Sequence, residues 1–199
     1  MSEVVGALKE LDLVHKKYKI PGRFLASSDV LARWPSELPR SAELDVFYNE
    51  YEPSGIKIET GLTPLKLFGM MELNKGQLGY RWINTKEGTV LDEEWPDKNL
   101  VIMDDNGGGK PIIAVTDVEK TPVFASYDVV EPFQVAESLA DFILAISRMI
   151  DIVYGEFNVF DLSDDDDGVS DAFIARLSSE IGPILGEDNA VRFIDYFYG

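Results

Sequence analysis

The stretch that decides the fold is residues 99–127, NLVIMDDNGGGKPIIAVTDVEKTPVFASY. Its apolar, largely β-branched runs at 100–103 and 112–115 flank an acidic, glycine-rich segment at 104–109. Asn and Gly in that segment accept the positive backbone angles that a tight reversal needs. Because a third apolar run follows at 122–124, the pattern predicts three successive strands in an antiparallel meander.

Hydrophobic periodicity on both sides of the meander predicts the remaining elements. Apolar residues at helical spacing predict four helices, one before Pro21-Gly22 and the others over 41–51, 139–153 and 173–184. Alternation with a period of two predicts strands at 56–58, 65–67 and 77–83, whereas 87–98 has the composition of a polar connection. Ser138 followed by Asp141 matches a capping box, which indicates where the longest helix begins.

Composition limits the class of protein. A chain of 199 residues with 45% hydrophobic content can bury one core with a small appended part. The absence of cysteine excludes disulfides and fits a reducing compartment. The N-terminus lacks the basic flank and apolar centre of a secretion signal, and no run approaches the ~20 apolar residues of a membrane span. We therefore expect a soluble cytoplasmic protein without membrane association.

The charge is strongly negative, because 36 acidic and 18 basic residues give a net charge of −18. Such a chain should repel nucleic acid, whose binding depends on basic patches that release counterions. A basic protein partner would be attracted, and its association rate would rise. Acidity also serves solubility, so the charge alone leaves both interpretations open.

No residue pattern identifies a catalytic group. The only histidine, His15, lies near a helix end beside Lys16 and Lys17, where a solvent-facing or dipole-complementing role is expected. The acidic residues offer many pairs but no spacing that singles out two carboxylates for catalysis. We therefore expect no catalytic residues and no cofactor.

Two ligand-binding motifs fail on inspection. If Gly168 held the glycine position of a calcium loop, the closing bidentate acid would fall on Ile174. The acidic run 164–167 could hold a cation weakly, although an acidic linker that caps the next helix explains it equally well. In the glycine-rich loop, Pro111 follows Lys110 where a phosphate loop needs Ser or Thr. We expect no metal site.

Loop-borne acidic residues beside an aromatic residue are the candidate partner-binding surface. An aromatic anchor concentrates binding energy, although Trp95 could instead tuck beneath its loop. The chain ends in four aromatic residues between 193 and 198, which either dock on the domain or face a partner. The candidate contact residues are Asp92, Glu93, Glu94, Trp95, Asp104 and Asp105.

The order of these elements resembles the SUKH superfamily over about residues 33–153. The resemblance rests on a series of short motifs. In chain order they are Leu38-Pro39, a helix ending Phe47-Tyr48, a Gly-Ile-x-Ile strand at 55–58, Gln-x-Gly-Tyr-Arg-Trp at 77–82, the hairpin 105–109, Pro-Val-Phe at 122–124 and Ser-x-x-Asp-Phe-Ile at 138–143. Lys110 departs from the family, which often has Asp or Asn after the hairpin glycines.

The resemblance implies an α+β fold with a mixed, mostly antiparallel sheet of about five or six strands flanked by helices. On this basis residues 1–157 form a SUKH-like domain. Residues 158–199 form an acidic linker and a helical C-terminal extension packed on the same domain. Nothing in the residues favours a monomer over an oligomer.

The resemblance also implies a function. Many bacterial members are similar in being immunity proteins that bind secreted toxins, often nucleases or deaminases, and fungal relatives act as interaction hubs in cell-wall regulation. The sequence is therefore predicted to be a non-catalytic protein-binding module that neutralises a toxin with a basic domain. The alternatives are a regulatory interaction scaffold without a toxin partner and a carboxylate-based hydrolase.

Overall fold

The computed structural model describes residues 3–26, 29–105, 108–127, 131–158, 162 and 168–199. The helices are α1 (Glu3–Lys17), α2 (Val30–Arg33), α3 (Ala42–Tyr51), α4 (Met70–Leu73), α5 (Leu139–Gly155), α6 (Asp171–Leu185) and α7 (Glu187–Tyr198), with a 3-10 turn at Lys75–Gln77. The strands are β1 (Arg23–Leu25), β2 (Glu52–Ser54), β3 (Lys57–Ile58), β4 (Leu65–Leu67), β5 (Trp82–Thr85), β6 (Gly88–Leu91), β7 (Asn99–Asp104), β8 (Ile112–Val115), β9 (Val123–Ala125) and β10 (Phe133–Ala136).

A six-stranded antiparallel sheet in the order β10-β9-β8-β7-β4-β3 forms the centre of the fold. Two further strand pairs, β1 with β2 and β5 with β6, lie outside it. Helices flank the sheet, and α6 and α7 follow as C-terminal helices. The predicted α+β class with a mostly antiparallel sheet is thereby confirmed.

The predicted meander consists of β7, β8 and β9. Leu100 lies opposite Ala114 in the β7–β8 pair, and Ile113 lies opposite Phe124 in the β8–β9 pair. β7 and β8 lie almost entirely in the interior, which explains why their sequences are continuous apolar runs. Residues 106–107, which were expected to supply part of the reversal, lie outside the described residues.

The region before the meander differs from the prediction. The strand predicted over 77–83 is wrong, because the chain turns at Gly79, whose φ of 88° is incompatible with a strand. The buried Gln77 side chain instead bonds the backbone of Val101, donating to its carbonyl at 2.8 Å and accepting from its amide at 3.0 Å. The strand begins only at β5, and β6 lies inside the 87–98 stretch that was predicted to be a polar connection.

The long helix α5 covers one face of the sheet, which we call the inner face. The Ser138 hydroxyl accepts from the Asp141 amide at 3.0 Å and donates to its carboxylate at 2.7 Å, which confirms the predicted capping box. An apolar cavity of about 20 Å³ remains between α5 and the sheet. Helix α1 packs against α5 on the inner-face side of the sheet, and its Leu11 lines the same cavity.

The C-terminal helices complete the same hydrophobic core. α6 packs on α5, and α7 packs on α6 and β10. Phe193 and Phe197 are fully buried, with ring centroids 4.6 Å apart. The Tyr198 hydroxyl donates to the Thr60 carbonyl at 2.8 Å. The aromatic residues near the C-terminus are therefore docked on the domain and not presented to a partner.

Helix α7 also protects the edge of the sheet. The Arg192 guanidinium donates to the Gln134 carbonyl of the edge strand β10 at 2.6 Å. About one turn further along α7, the Tyr196 hydroxyl donates to the Lys110 carbonyl in the β7–β8 loop. An edge strand covered in this way offers fewer free backbone groups to another chain.

None of the helices in the described ranges has both the length and the apolar character needed to cross a bilayer.

His15 is buried, contrary to the expectation of a solvent-facing role. Only 3% of its surface is exposed, Nε2 lies 3.0 Å from the Pro21 carbonyl, and its ring meets the Phe24 ring edge-on. Burial lowers the pKa of the His15 imidazole, while the bond to Pro21 acts in the opposite direction. The neutral imidazole is therefore the form that the fold prefers.

This burial predicts a pH-dependent stability. The unfolded chain takes up a proton at about pH 6.5 and the folded chain only at a lower pH, so stability is complete above about pH 6.5 and declines below it. Relative to His15→Gln, which keeps an N–H donor but does not titrate there, the wild type should lose about 1 kcal/mol between about pH 7.5 and about pH 5.5. Urea unfolding of both proteins measures this difference. Parallel pH profiles would contradict the assignment.

Candidate functional site

A depression of about 550 Å³ opens on the outer face of the sheet, at the base of the β5–β6 hairpin. Its floor contains Ile113 and Val115 of β8 and Phe124 of β9, which alternation places on the face opposite α5. One wall is formed by Tyr80 and Trp95. We call this depression the Trp95 pocket. It brings together residues that are far apart in the sequence.

The aromatic wall of the Trp95 pocket is held firmly. Trp95 is half-buried, and its indole N–H donates to the Asn99 carbonyl at 3.1 Å. Its ring lies 5.6 Å from the ring of Tyr80, which is itself buried. One edge of the indole is thus packed against the protein while the rest faces the pocket. Trp95 thus tucks under its loop and still borders an open surface.

Carboxylates surround the pocket. The half-buried Asp92 accepts a hydrogen bond from the Glu94 amide at 3.0 Å, which shapes the loop after β6. Glu94 and Glu131 are exposed and also line the pocket, whereas Glu93 is exposed but does not line it. Within the described residues, none of these four carboxylates forms an ion pair with Lys or Arg. The rim therefore presents uncompensated negative charge.

Asp104 does not belong to this surface, although the sequence suggested it as a contact residue. Its side chain is buried, with 6% exposed. One carboxylate oxygen accepts from the Tyr80 hydroxyl at 2.7 Å. The other accepts from the backbone amides of Asp105, Gly109 and Lys110 at 2.8, 3.4 and 3.2 Å. Asp104 therefore organises the β7–β8 loop and supports the pocket wall from behind.

Asp105 has a related structural role. It is half-buried, and its carboxylate accepts from the Gly109 amide at 3.1 Å. The amides of Gly109 and Lys110 are thus directed at carboxylates of the protein itself. Lys110 turns away, donating from Nζ to the Thr63 hydroxyl at 2.8 Å and lying over the Tyr127 ring.

Among the carboxyls of the described residues, Asp104 has the raised pKa that a hydrolase's acid would share. Burial raises the pKa of this carboxyl, against the lowering effect of the Tyr80 hydroxyl and of the loop amides. A catalytic carboxyl needs a free oxygen directed at a substrate. Both oxygens of Asp104 are engaged by internal donors, and Asp104 does not line the Trp95 pocket. The geometry suits a structural carboxylate better than a general acid.

The β5–β6 hairpin beside the pocket was missed in the sequence. Its strands pair Ile83 with Val90 and Trp82 with Leu91. Ile83, Val90 and Leu91 are each more than two-fifths exposed, which is unusual for three neighbouring apolar residues. The runs on either side of Lys86-Glu87 carried a hairpin signal, because β-branched residues flank a short polar turn with Gly88.

Among the residues that the structure describes, no three His, Cys, Asp or Glu side chains cluster closely enough to hold a metal ion. The acidic run 164–167, considered as a weak cation site, lies outside these residues. The arrangement around the Trp95 pocket offers an apolar floor, a fixed aromatic wall and a negative rim. These features favour contact with an apolar surface that carries positive charge.

Comparison with known proteins adds no relative, because no protein-family model, no curated protein and no solved structure matches the chain.

Proposed function

We propose that this protein is a non-catalytic protein-binding module whose partner docks at the Trp95 pocket. The observation that carries the proposal is the fixed indole of Trp95 beside the unpaired carboxylates of Asp92, Glu94 and Glu131. Pre-ordered aromatic side chains make strong anchors, since little conformational entropy is lost when a partner covers them. The surrounding charge selects a basic partner and accelerates its approach.

The resemblance to the SUKH superfamily supports a more specific proposal, an immunity protein that neutralises a secreted toxin by direct binding. A nuclease or nucleic-acid deaminase carries a basic surface for its substrate. An acidic protein can cover such a surface without any chemistry of its own. The net charge of −18 and the acidic rim both suit this role.

The proposal predicts a complex with one partner bound per chain. We would co-express the protein with the product of the neighbouring reading frame and measure the affinity by calorimetry and the association rate by stopped flow. Because opposite charges steer the encounter, raising the salt concentration should slow association. The absence of any complex would overturn the immunity assignment.

Substitutions locate the docking site. Trp95→Ala should weaken binding about tenfold through faster dissociation, and Glu94→Lys should weaken it about tenfold through slower association. Glu50→Lys is the matched control, because Glu50 is exposed on α3 and takes the same change of charge. If all three variants bound the partner equally well, the Trp95 pocket would not be the docking site.

A further inference from the structure

The Trp95 pocket continues into a second depression on the same face of the sheet. This second depression has a volume of about 620 Å³ and is lined by Val118, Glu119, Gln134 and other residues near the β8–β9 turn. Val115 and Phe124 line both depressions, so the two share a floor. We call the second depression the Glu119 pocket and the combined feature the sheet groove.

The sheet groove runs along the strands. One end of the groove lies at Pro111, just before β8, and at Ser126, just after β9. The other end lies at Val118 and Pro122, between the two strands. β8 ends at Val115 and a turn follows at 116–120, so the four residue steps from 111 to 115 correspond to about 13 Å of extended chain. The same length corresponds to about nine residues of α-helix.

The floor of the groove is only partly covered by the chain itself. Ile113 at its Trp95 end is fully buried, whereas Val115 and Phe124 are half-buried and Val118 is 48% exposed. Apolar sheet faces are normally covered by another layer. Within the described residues, no helix or strand of the chain itself lies over this floor, which makes a layer from a partner the natural cover.

The hydrogen bonding of the strands in the floor determines whether a strand or a helix can form that layer. β8 is bonded to β7 on one side and to β9 on the other, so its amides and carbonyls are used within the sheet. An extended peptide lying on the face would find no backbone partners there, and its own polar groups would lose water without compensation. A helix satisfies its backbone internally and covers a sheet face without that cost.

The charged residues along the rim of the groove determine which charge a bound layer should carry. Among the described residues, five acidic ones line the two pockets, namely Asp92, Glu94, Glu131, Glu119 and Glu137. Lys120 is the one basic residue of the described ranges that lines either pocket, and its ammonium lies 3.8 Å from the Glu3 carboxylate. Lysines or arginines along both flanks of a bound helix would lie over these acids.

We infer that the sheet groove receives an amphipathic, basic α-helix of the partner protein, at least about nine residues long, whose apolar stripe packs on Val115 and Phe124. The inference rests on the proposed protein-binding function and names the structure that the partner presents. It also assigns the Glu119 pocket to the same interface as the Trp95 pocket.

Two peptides of identical composition test this inference with the full chain. Both contain 15 residues of Leu and Lys, one with leucine at helical spacing and the other with leucine at alternate positions, which favours a strand. Calorimetry should show that the helical peptide binds at least tenfold more tightly. Circular dichroism should show its helicity rising on binding. Equal binding, or tighter binding of the alternating peptide, would overturn the helical assignment.

Variants of the protein separate this inference from the proposed function. Glu94→Lys and Glu119→Lys should each weaken binding of the helical peptide about fivefold if each contacts one or two of its lysines, and Glu50→Lys should have no effect. A loss confined to Glu94→Lys would leave the Trp95 pocket as the docking site but overturn the groove-spanning helix. Equal binding by all three variants would remove support from both proposals.

Discussion

Replacing Phe193 with alanine is expected to lower the free energy of unfolding by about 4 kcal/mol. The Phe193 ring is fully buried in α7 and contacts two other rings, with centroid distances of 6.1 Å to Phe142 of α5 and 4.6 Å to Phe197. Its removal would leave a cavity where the C-terminal helix joins the central helix. Because both helices share one core, we expect a single cooperative transition at lower urea concentration.

The control lies on the same helix. Val191 is 62% exposed, so Val191→Ala should change stability by less than about 0.5 kcal/mol. Urea unfolding followed by both circular dichroism and tryptophan fluorescence measures the two variants. If Phe193→Ala produced an early helical transition while the tryptophans kept their native signal, α7 would be an appendage and not part of the core.

Asp104→Ala is expected to cost about 3 kcal/mol, because a buried charged acceptor of several hydrogen bonds is removed. The Tyr80 hydroxyl and the amides of Asp105, Gly109 and Lys110 would all lose their partner. The backbone at Asp105 and at 109–110 should become less firmly held, and the Tyr80 wall of the Trp95 pocket should loosen with it.

A double-mutant cycle with Tyr80→Phe isolates the hydroxyl–carboxylate bond. We expect a coupling energy of about 1 to 2 kcal/mol between the two substitutions, since both remove one short bond in the interior. Asp105→Ala serves as the control and should cost less than about 1 kcal/mol, because this half-buried carboxylate accepts from one amide. A similar loss for Asp104→Ala and Asp105→Ala would contradict the structural role of Asp104.

The elements that could be predicted from sequence are those in which local chemistry and burial agree. The runs 100–103 and 112–115 are apolar because β7 and β8 lie inside the protein. Ser138 begins α5 because its hydroxyl and the Asp141 carboxylate satisfy the first backbone groups of the helix. These signals act over a few residues, so a single sequence displays them.

The errors in the predicted fold arise where a side chain takes the place of a backbone hydrogen-bonding partner. Gln77 belongs to a stretch with an alternating pattern, but its side-chain amide bonds the backbone of Val101 in β7. The chain then turns at Gly79. His15 stands between charged neighbours, yet its own side of α1 faces the interior. In both cases tertiary contacts override a correct local pattern.

The candidate site was only partly foreseeable. Asp92, Glu94 and Trp95 are close in the sequence and do line one pocket. Phe124 and Glu131 join them through the sheet, which no local pattern reveals. Asp104 was misplaced because charge normally marks exposure, whereas here loop amides and a tyrosine compensate a buried carboxylate.

The position of α7 has a consequence for how the chain is made. The bond from the Tyr198 hydroxyl to the Thr60 carbonyl joins residues separated by 138 positions, and the bond from Tyr196 to Lys110 joins residues separated by 86. Helix α1 packs on α5, so this contact likewise forms only after α5 has been synthesised. During synthesis the edge strand β10 therefore lacks its cover until α7 has been made. Contacts between residues so far apart in the chain form slowly, because the loop between them must be closed first.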